Sequence, residues 1–218
     1  VVFEEYSEYH PGVHIIRYHS VLRASLMVGL AIALAACDTG PVNPKVPRNA
    51  KSSGGLHATI ETDKGPIELE FLPDAAPKAV ENFRLLAEHG YYDGLTFHRL
   101  VKGFMIQGGD PRGNGSGGES AWGGEFADEI NPDSAVYRAG YQRGIVAMAN
   151  SGPNTNGSQF FIMLADYPLP PAYVIFARVT AGMSAVDAIV KLPTVMGDDG
   201  DLSKPVTPPV IKTVKVKP

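Results

Sequence analysis

A single arginine, Arg99, stands inside the apolar stretch FHRLVKGFMIQGGD, Phe97 to Asp110. Arginine is almost never fully buried unless paired. It stays charged in proteins and presents its donors as a rigid planar fork. A strand here would put Arg99 on one face with Phe97 and Val101, because side chains alternate. Such a cation is either held by a partner or presented to something outside. A second block, MANSGPNTNGSQFFI from Met148 to Ile162, also mixes apolar and amide residues. Together the blocks offer an oriented cation, amide hydrogen bonds and an apolar grip.

Other chemistries find less support. GNGSGG, Gly113 to Gly118, matches G-x-G-x-x-G, but ESAWGGEF after it does not open a helix, and a dinucleotide site needs a strand before the glycines and a helix after them. A flexible loop that lets backbone come close to a ligand or strand is the better reading. No serine lies in G-x-S-x-G. His98 has no third group in sequence to complete a triad and reads as a structural hydrogen-bonder. Asp198, Asp199 and Asp201 lack the full ligand pattern of a calcium loop and read as a solvated loop. No Cys/His cluster has zinc spacing. No metal or cofactor is expected.

The elements that must position these blocks are mostly strands. The chain has 218 residues, 44% of them hydrophobic, with 24 glycines and 18 prolines, which favours turns over an all-helical fold. A net charge of −4 gives no nucleic-acid footprint. HATIETDKGPIELEF reads as a hairpin turning at Asp63-Lys64-Gly65. In APKAVENFRLLAEHG, Pro77 suits a first helical turn, Val80, Phe83 and Leu86 recur at helical spacing, and Gly90 suits the position past the end. LTFHRLV, GFMIQ, GIVAMAN, QFFIML, YVIFARV and PPVIKTVKV are strand candidates, and MSAVDAIVKL is a second helix. This pattern suggests a β-barrel whose ends the helices cover.

The N-terminal region reads differently. Arg17 and Arg23 precede SLMVGLAIALAA, an apolar run that suits a signal core and falls short of the about 20 residues of a membrane span. It ends in LAAC, with Cys37 the one cysteine of the chain. Glu4, Glu5 and Glu8 sit where a signal carries positive charge, and a start at Val21 would leave VLRASLMVGLAIALAAC as a compact signal. The expected organisation is a signal over 1–36, a modified cysteine and flexible linker over 37–55, and a folded domain over 56–218. The linker, DTGPVNPKVPRNAKSSGG, is rich in Pro, Gly, Ser and Asn.

The blocks FHRLVKGFMIQGGD and MANSGPNTNGSQFFI, with the APKAVENF helix, resemble those of cyclophilins, the peptidyl-prolyl cis/trans isomerases. The resemblance runs from about Leu56 to the C-terminus, and LAAC resembles the lipobox of bacterial lipoproteins. It implies a mainly β fold: an eight-stranded antiparallel barrel closed by two helices. It places Arg99 at the family's catalytic arginine, with Phe104 and Gln107 beside it. Met105, Gly115, Ala149, Asn150, Ser151, Gln159, Phe161, Leu169 and Tyr173 fall on the substrate groove, and Phe104, Met105 and Phe161 line its proline pocket. Two departures stand out. Leu169 lies where many members have a nearby tryptophan, while Trp122 sits in the Gly-rich region, and Tyr173 replaces a common histidine. Both imply weak cyclosporin binding.

Rotation about an X–Pro bond needs neither nucleophile nor metal. Amide resonance sets a barrier of about 18–20 kcal/mol. At the twisted state the proline nitrogen becomes an acceptor, and a fixed cationic donor binds that state better than either planar one. Arg99 suits this role, with the Gln107 amide oxygen expected to hold its fork and Asn150 to pair with the peptide backbone. The expected partners are proline-containing peptides and unfolded exported proteins. The expected location is the extracytoplasmic face of the cell membrane, through a lipid on Cys37. A different class of function is a non-catalytic chaperone or scaffold domain that captures proline segments. Turnover on a proline peptide separates the two.

Overall fold

The computed structural model describes Val46, Pro47 and residues 50–218. Cys37 and the apolar run before it lie outside the described residues. Among the described residues, ten strands and three helices follow one another: β1 (His57–Thr62), β2 (Gly65–Phe71), α1 (Pro77–Glu88), β3 (Phe97–Val101), β4 (Met105–Gly108), α2 (Ala135–Ala139), β5 (Ile145–Met148), β6 (Phe160–Met163), β7 (Ile175–Ala181), α3 (Met183–Val190), β8 (Thr194–Met196), β9 (Leu202–Pro205) and β10 (Ile211–Lys217).

Eight strands form one sheet in the order β10-β1-β2-β7-β5-β6-β4-β3, with every pairing antiparallel. The sheet curls until its edges approach. Thr96 bridges to Val210, the Ile211 amide donates to the Leu95 carbonyl at 2.7 Å, and the Phe97 amide donates to the Pro209 carbonyl at 3.0 Å. Joining the edges limits the exposed strand edge that would invite aggregation.

Local sequence chemistry explains the ends. The β1–β2 turn falls at Asp63-Lys64, and Thr62 Oγ1 accepts from the Lys64 amide and donates to the Gly65 carbonyl. Helix α1 starts with Pro77 but has no capping side chain at Ala76. Glu129, distant in sequence, supplies the cap: its carboxylate accepts the amides of Lys78 at 3.0 Å and Ala79 at 2.9 Å. This satisfies two of the free amides at the helix start and sets a negative charge against its positive end. The linker meets the domain before Leu56, because Val46 and Ala50 pack on the core and the Ser53 amide donates to Glu88 at 2.9 Å.

The sheet is apolar on both faces, and this creates the site. Along β6 every residue is buried. Phe160 and Ile162 face the main core, where Phe83 of α1 packs among Phe71, Tyr92, Phe160 and Phe176. Phe161 and Met163 face the other way into a second cluster with Met105, Ala147, Ile175, Tyr137 and Tyr141.

Three features depart from the sequence-based expectation. Helix α2 is a third, short helix, capped by the Ser134 hydroxyl. Residues 194–205, read in part as a solvated acidic loop, form the β8–β9 hairpin, and β9 lies against β3. Phe97 and Arg99 do not share a face. A register shift between them sends Phe97 into the main core against Phe160 and turns Arg99 outward with Val101. An extra residue at a bulge re-aims the side chains beyond it.

Candidate active site

Cross-strand register assembles the outer face. Arg99 of β3 pairs with Gln107 of β4, Gln107 with Phe161 of β6, and Phe161 with Ala147 of β5. Residues directly opposite each other across strands share a face. A row of cation, amide, aromatic ring and small residue therefore crosses four strands. Met105 and Phe161 are almost fully buried in the second cluster, and Phe104, Ala149, Leu169 and Tyr173 pack around them. These residues form an apolar cluster on the outer face, with Arg99 Nη1 lying 4.0 Å from Met105 Sδ. The Tyr173 ring stands edge-on to Phe161 at 5.4 Å, and Tyr167 packs on Phe104 at 4.6 Å.

Other predicted residues gather beside this cluster. Gln107, Gly115, Ala149, Asn150, Ser151 and Gln159 line one concavity. Its wall is the Gly-rich loop, and the loop is tightly pinned. The Asp110 carboxylate accepts from the amides of Arg112, Asn114 and Gly115, and Gln159 Nε2 donates to the carbonyls of Gly115 and Gly117. Glycine is required there for space: a Cβ on Gly117 would lie 2.3 Å from Asp110 Oδ1, and one on Gly118 would lie 2.2 Å from Ser158 Oγ. No helix opens directly after the glycines, since α2 begins only at Ala135, so they do not form a dinucleotide-binding turn. The Asn150 side chain is committed internally, donating to the Ala172 carbonyl and accepting from the Gly152 amide. Only its main chain is left to pair with a peptide. The Ser151 amide is likewise engaged by Thr155 Oγ1.

The holder of Arg99 is not Gln107. Gln107 Nε2 donates to Gln159 Oε1 at 2.9 Å, so this amide joins the network that fixes the loop. Arg99 Nε instead donates to Asp199 Oδ2 at 2.6 Å. Asp199 comes from the turn of the β8–β9 hairpin, the segment read as solvated. A carboxylate outcompetes a neutral amide for a guanidinium because a charge-assisted hydrogen bond is about twice as strong. Burial pushes the Asp199 carboxyl up, but hydrogen bonds from Arg99, the Ser203 hydroxyl and the Asp201 amide outweigh this and hold it below its ordinary value.

Sequence reasoning also missed two tyrosines that support the apolar cluster. The Tyr141 hydroxyl donates to the Tyr173 carbonyl at 2.8 Å and accepts the Tyr173 amide at 3.1 Å. The Tyr137 hydroxyl accepts the Ile175 amide at 3.0 Å. Burial pushes both phenols up, Tyr141 to about 12. They act as neutral struts for the segment that carries Leu169 and Tyr173. Their four-residue spacing in AVYRAGY was the available signal. Trp122 packs edge-on against Phe126 at 5.9 Å and is not part of the apolar cluster.

Residues 57–216 match the family described as cyclophilin type peptidyl-prolyl cis-trans isomerase/CLD. The chain is 51% identical over 144 residues to the peptidyl-prolyl cis-trans isomerase CYP18-1 of Arabidopsis thaliana, covering 66% of this chain and 88% of the plant protein. In several longer curated relatives the match spans only 21% to 25% of their length. Among solved structures, a cyclophilin type peptidyl-prolyl cis-trans isomerase of Cryptosporidium parvum is 38% identical, with a TM-score of 0.67, covering 75% of this chain and 98% of its own. The same parasite protein in the presence of the dipeptide Ala-Pro matches with a TM-score of 0.66 at 38% identity. The chain belongs to the cyclophilin-type peptidyl-prolyl cis-trans isomerases, enzymes that accelerate rotation about X–Pro bonds.

Proposed function

We propose that Arg99 carries the isomerisation and that the apolar cluster beside it grips the proline ring. One observation supports this above the others: a guanidinium held by Asp199 through Nε, with Nη1 against Met105 Sδ, stands beside the apolar cluster of Met105 and Phe161. Phe104, Met105 and Phe161 hold the ring while the carbonyl side of the bond turns. As conjugation is lost, the proline nitrogen gains an accessible lone pair, and the fork donates to it. No covalent bond forms or breaks. Binding the twisted state better than the planar states lowers the barrier. The main chain of Asn150 pairs with the peptide, and Gln107 and Gln159 keep the loop wall in place. The substrates are proline-containing peptides, the class that the Ala-Pro dipeptide in the Cryptosporidium parvum structure represents. Cyclosporin binds weakly, since Trp122 packs on Phe126 and is not among the residues clustered around Met105 and Phe161. The test is isomerisation of a proline peptide by wild type and Arg99→Ala. Full activity in the variant rejects the role.

We further propose that the enzyme serves exported proteins from a membrane anchor at Cys37. The support is sequence alone: a signal-like apolar core, then LAAC, then a Pro/Gly/Ser-rich linker. One acyl chain gives only marginal attachment, so stable anchoring requires more than one. Cys37→Ser should move the protein out of the membrane fraction. Unchanged fractionation, with no lipid mass on the wild type, rejects the anchor.

A further inference from the structure

The turn Gly197–Asp201 closes the β8–β9 hairpin over β3, and it carries three carboxylates. Asp198 and Asp201 make no ion pair among the described residues. Asp199 is different. Its Oδ2 takes Arg99 Nε at 2.6 Å, Ser203 Oγ lies 2.8 Å from each of its oxygens, and the Asp201 amide donates to Oδ1 at 3.1 Å. Three donors hold the carboxylate, and the pair is only about a quarter exposed, 24% for Arg99 and 23% for Asp199. A carboxylate so engaged has little capacity left for a peptide. Its effect must pass through the arginine.

The atom it engages decides what that effect is. Nε lies on the stem side of the guanidinium. A bond there stops the fork from swinging about its long, flexible stem and leaves Nη1 and Nη2 without an oxygen acceptor among the described residues. Nη1 lies against the apolar cluster, 4.0 Å from Met105 Sδ, a weak acceptor that a substrate lone pair can displace. Had the carboxylate taken both Nη groups, it would have covered the donors that a substrate needs. The hairpin carrying Asp199 is itself anchored, because β9 packs on β3 and the Ser203 hydroxyl ties the strand to the turn.

We propose that Asp199 is the positioning residue for Arg99 in this isomerase: its carboxylate fixes the guanidinium through Nε so that the Nη donors meet the twisted X–Pro bond. The proposal rests on the role assigned to Arg99. Pre-orientation matters in such a reaction because a donor misplaced by about 1 Å can cost up to a hundredfold in rate. A neighbouring carboxylate also offsets part of the arginine's charge, but at this exposure water screens that effect. Orientation therefore outweighs charge offset, and loss of Asp199 should slow the enzyme.

A double-mutant cycle on a proline peptide tests this, using Asp199→Ala, Asp199→Asn, Arg99→Ala and the Asp199→Ala/Arg99→Ala pair. Asp199→Ala should lower kcat by about tenfold with KM within about twofold, the split expected when an interaction acts on the transition state. Asp199→Asn keeps a neutral acceptor and should recover part of the loss. In the Arg99→Ala background Asp199→Ala should change nothing further. Urea midpoints on the same samples guard against a disturbed hairpin. If Asp199→Ala alone lowers the midpoint, Asp199→Asn at an unchanged midpoint decides the matter. Wild-type or raised activity in the Asp199 variants overturns the proposal, as does a tenfold loss that persists without Arg99. If Arg99→Ala is itself fully active, the Arg99 reading falls first. If Arg99→Ala is crippled and Asp199→Ala is not, only the Asp199 proposal falls.

Discussion

Arg84 on α1 and Arg99 on β3 are both drawn out of bulk water, by different means. Arg84 is 8% exposed, its guanidinium lies 5.1 Å from the centre of the Phe71 ring, and Nε and Nη2 have no hydrogen-bond partner among the described residues. Desolvation lowers its pKa, against the pull of Glu88 and Glu81. Arg99 keeps a quarter of its side chain exposed, ties Nε to Asp199 and sets Nη1 beside Met105 of the apolar cluster. Arg84 is used as packing, a long stem and a flat cation on an aromatic face. Arg99 is half committed, and the free half is what chemistry can use. An arginine in an apolar stretch is thus a weak signal by itself. Which nitrogen is bound, and what the unbound ones face, separates a scaffold residue from a working one.

The sharpest break of this comparison is Arg99→Ala. It should lower kcat/KM by at least about a hundredfold, a loss of about 3 kcal/mol, the size expected for a removed transition-state donor. Arg99→Lys should also be poor, since a flexible point charge does not reproduce the fork. The urea midpoint should barely move, because an ion pair at this exposure contributes about 1 kcal/mol or less. A fully buried pair would instead cost about 3–5 kcal/mol when broken. A collapsed midpoint in Arg99→Ala would therefore place Arg99 with the scaffold.

The reverse pattern is expected at Arg84. Arg84→Ala removes stem packing and the contact on Phe71, and should cost about 1–3 kcal/mol of stability with kcat/KM unchanged. Arg84→Met keeps the stem volume and removes two unsatisfied buried donors, so its stability should lie close to wild type or above it. Urea unfolding and the peptide assay on both variants check this. An activity loss in stable Arg84→Met would erase the contrast.

The fold was largely legible because its strands and helices follow simple periods. HATIETDKGPIELEF alternates, and MSAVDAIVKL repeats at helical spacing. Six strand candidates and both long helices fall where those patterns place them. The β8–β9 hairpin was not legible. Its strands are short, at three and four residues, Val195, Met196 and Leu202 are exposed, and the positions that β9 buries are Ser203 and Pro205, so no hydrophobic alternation marks it. Its turn of acidic and glycine residues looks like any solvated loop until β3 is brought beneath it. The same gap hid Asp199, which meets Arg99 across 100 residues of chain. The bulge after Phe97 was hidden for a related reason, because it depends on pairing with β4. Site residue types were legible from the two blocks, but the partners of Gln107 and Arg99 were not. Several donors and acceptors compete there, and only geometry ranks them.

The smallest expected effect belongs to His98, the bulge residue beside Arg99. It is 8% exposed, and neither ring nitrogen has a hydrogen-bond partner among the described residues. Burial pushes its pKa down, Asp110 partly opposes this, and Arg99 adds to it. The folded protein therefore holds His98 neutral where the unfolded chain, with an ordinary value near 6.5, would take up a proton. Above about pH 6.5 neither state binds that proton and His98 makes stability no more pH-dependent. As pH falls below about 6.5 the unfolded state gains protons first, and stability declines until the lower folded value is reached. One proton limits that decline to about 1.4 kcal/mol per pH unit. Urea midpoints at pH 7.5, 6.5 and 5.5 should fall on acidification in wild type, and less steeply in His98→Asn. Isomerase activity should stay level over the same range. Arg99 remains charged there, and Asp199, whose folded pKa is depressed, loses its contribution only as pH drops through that lower value. Equal slopes in the two proteins would show that another group governs the acid side. A fall in activity that tracks the midpoint would tie His98 to the work of its neighbour Arg99.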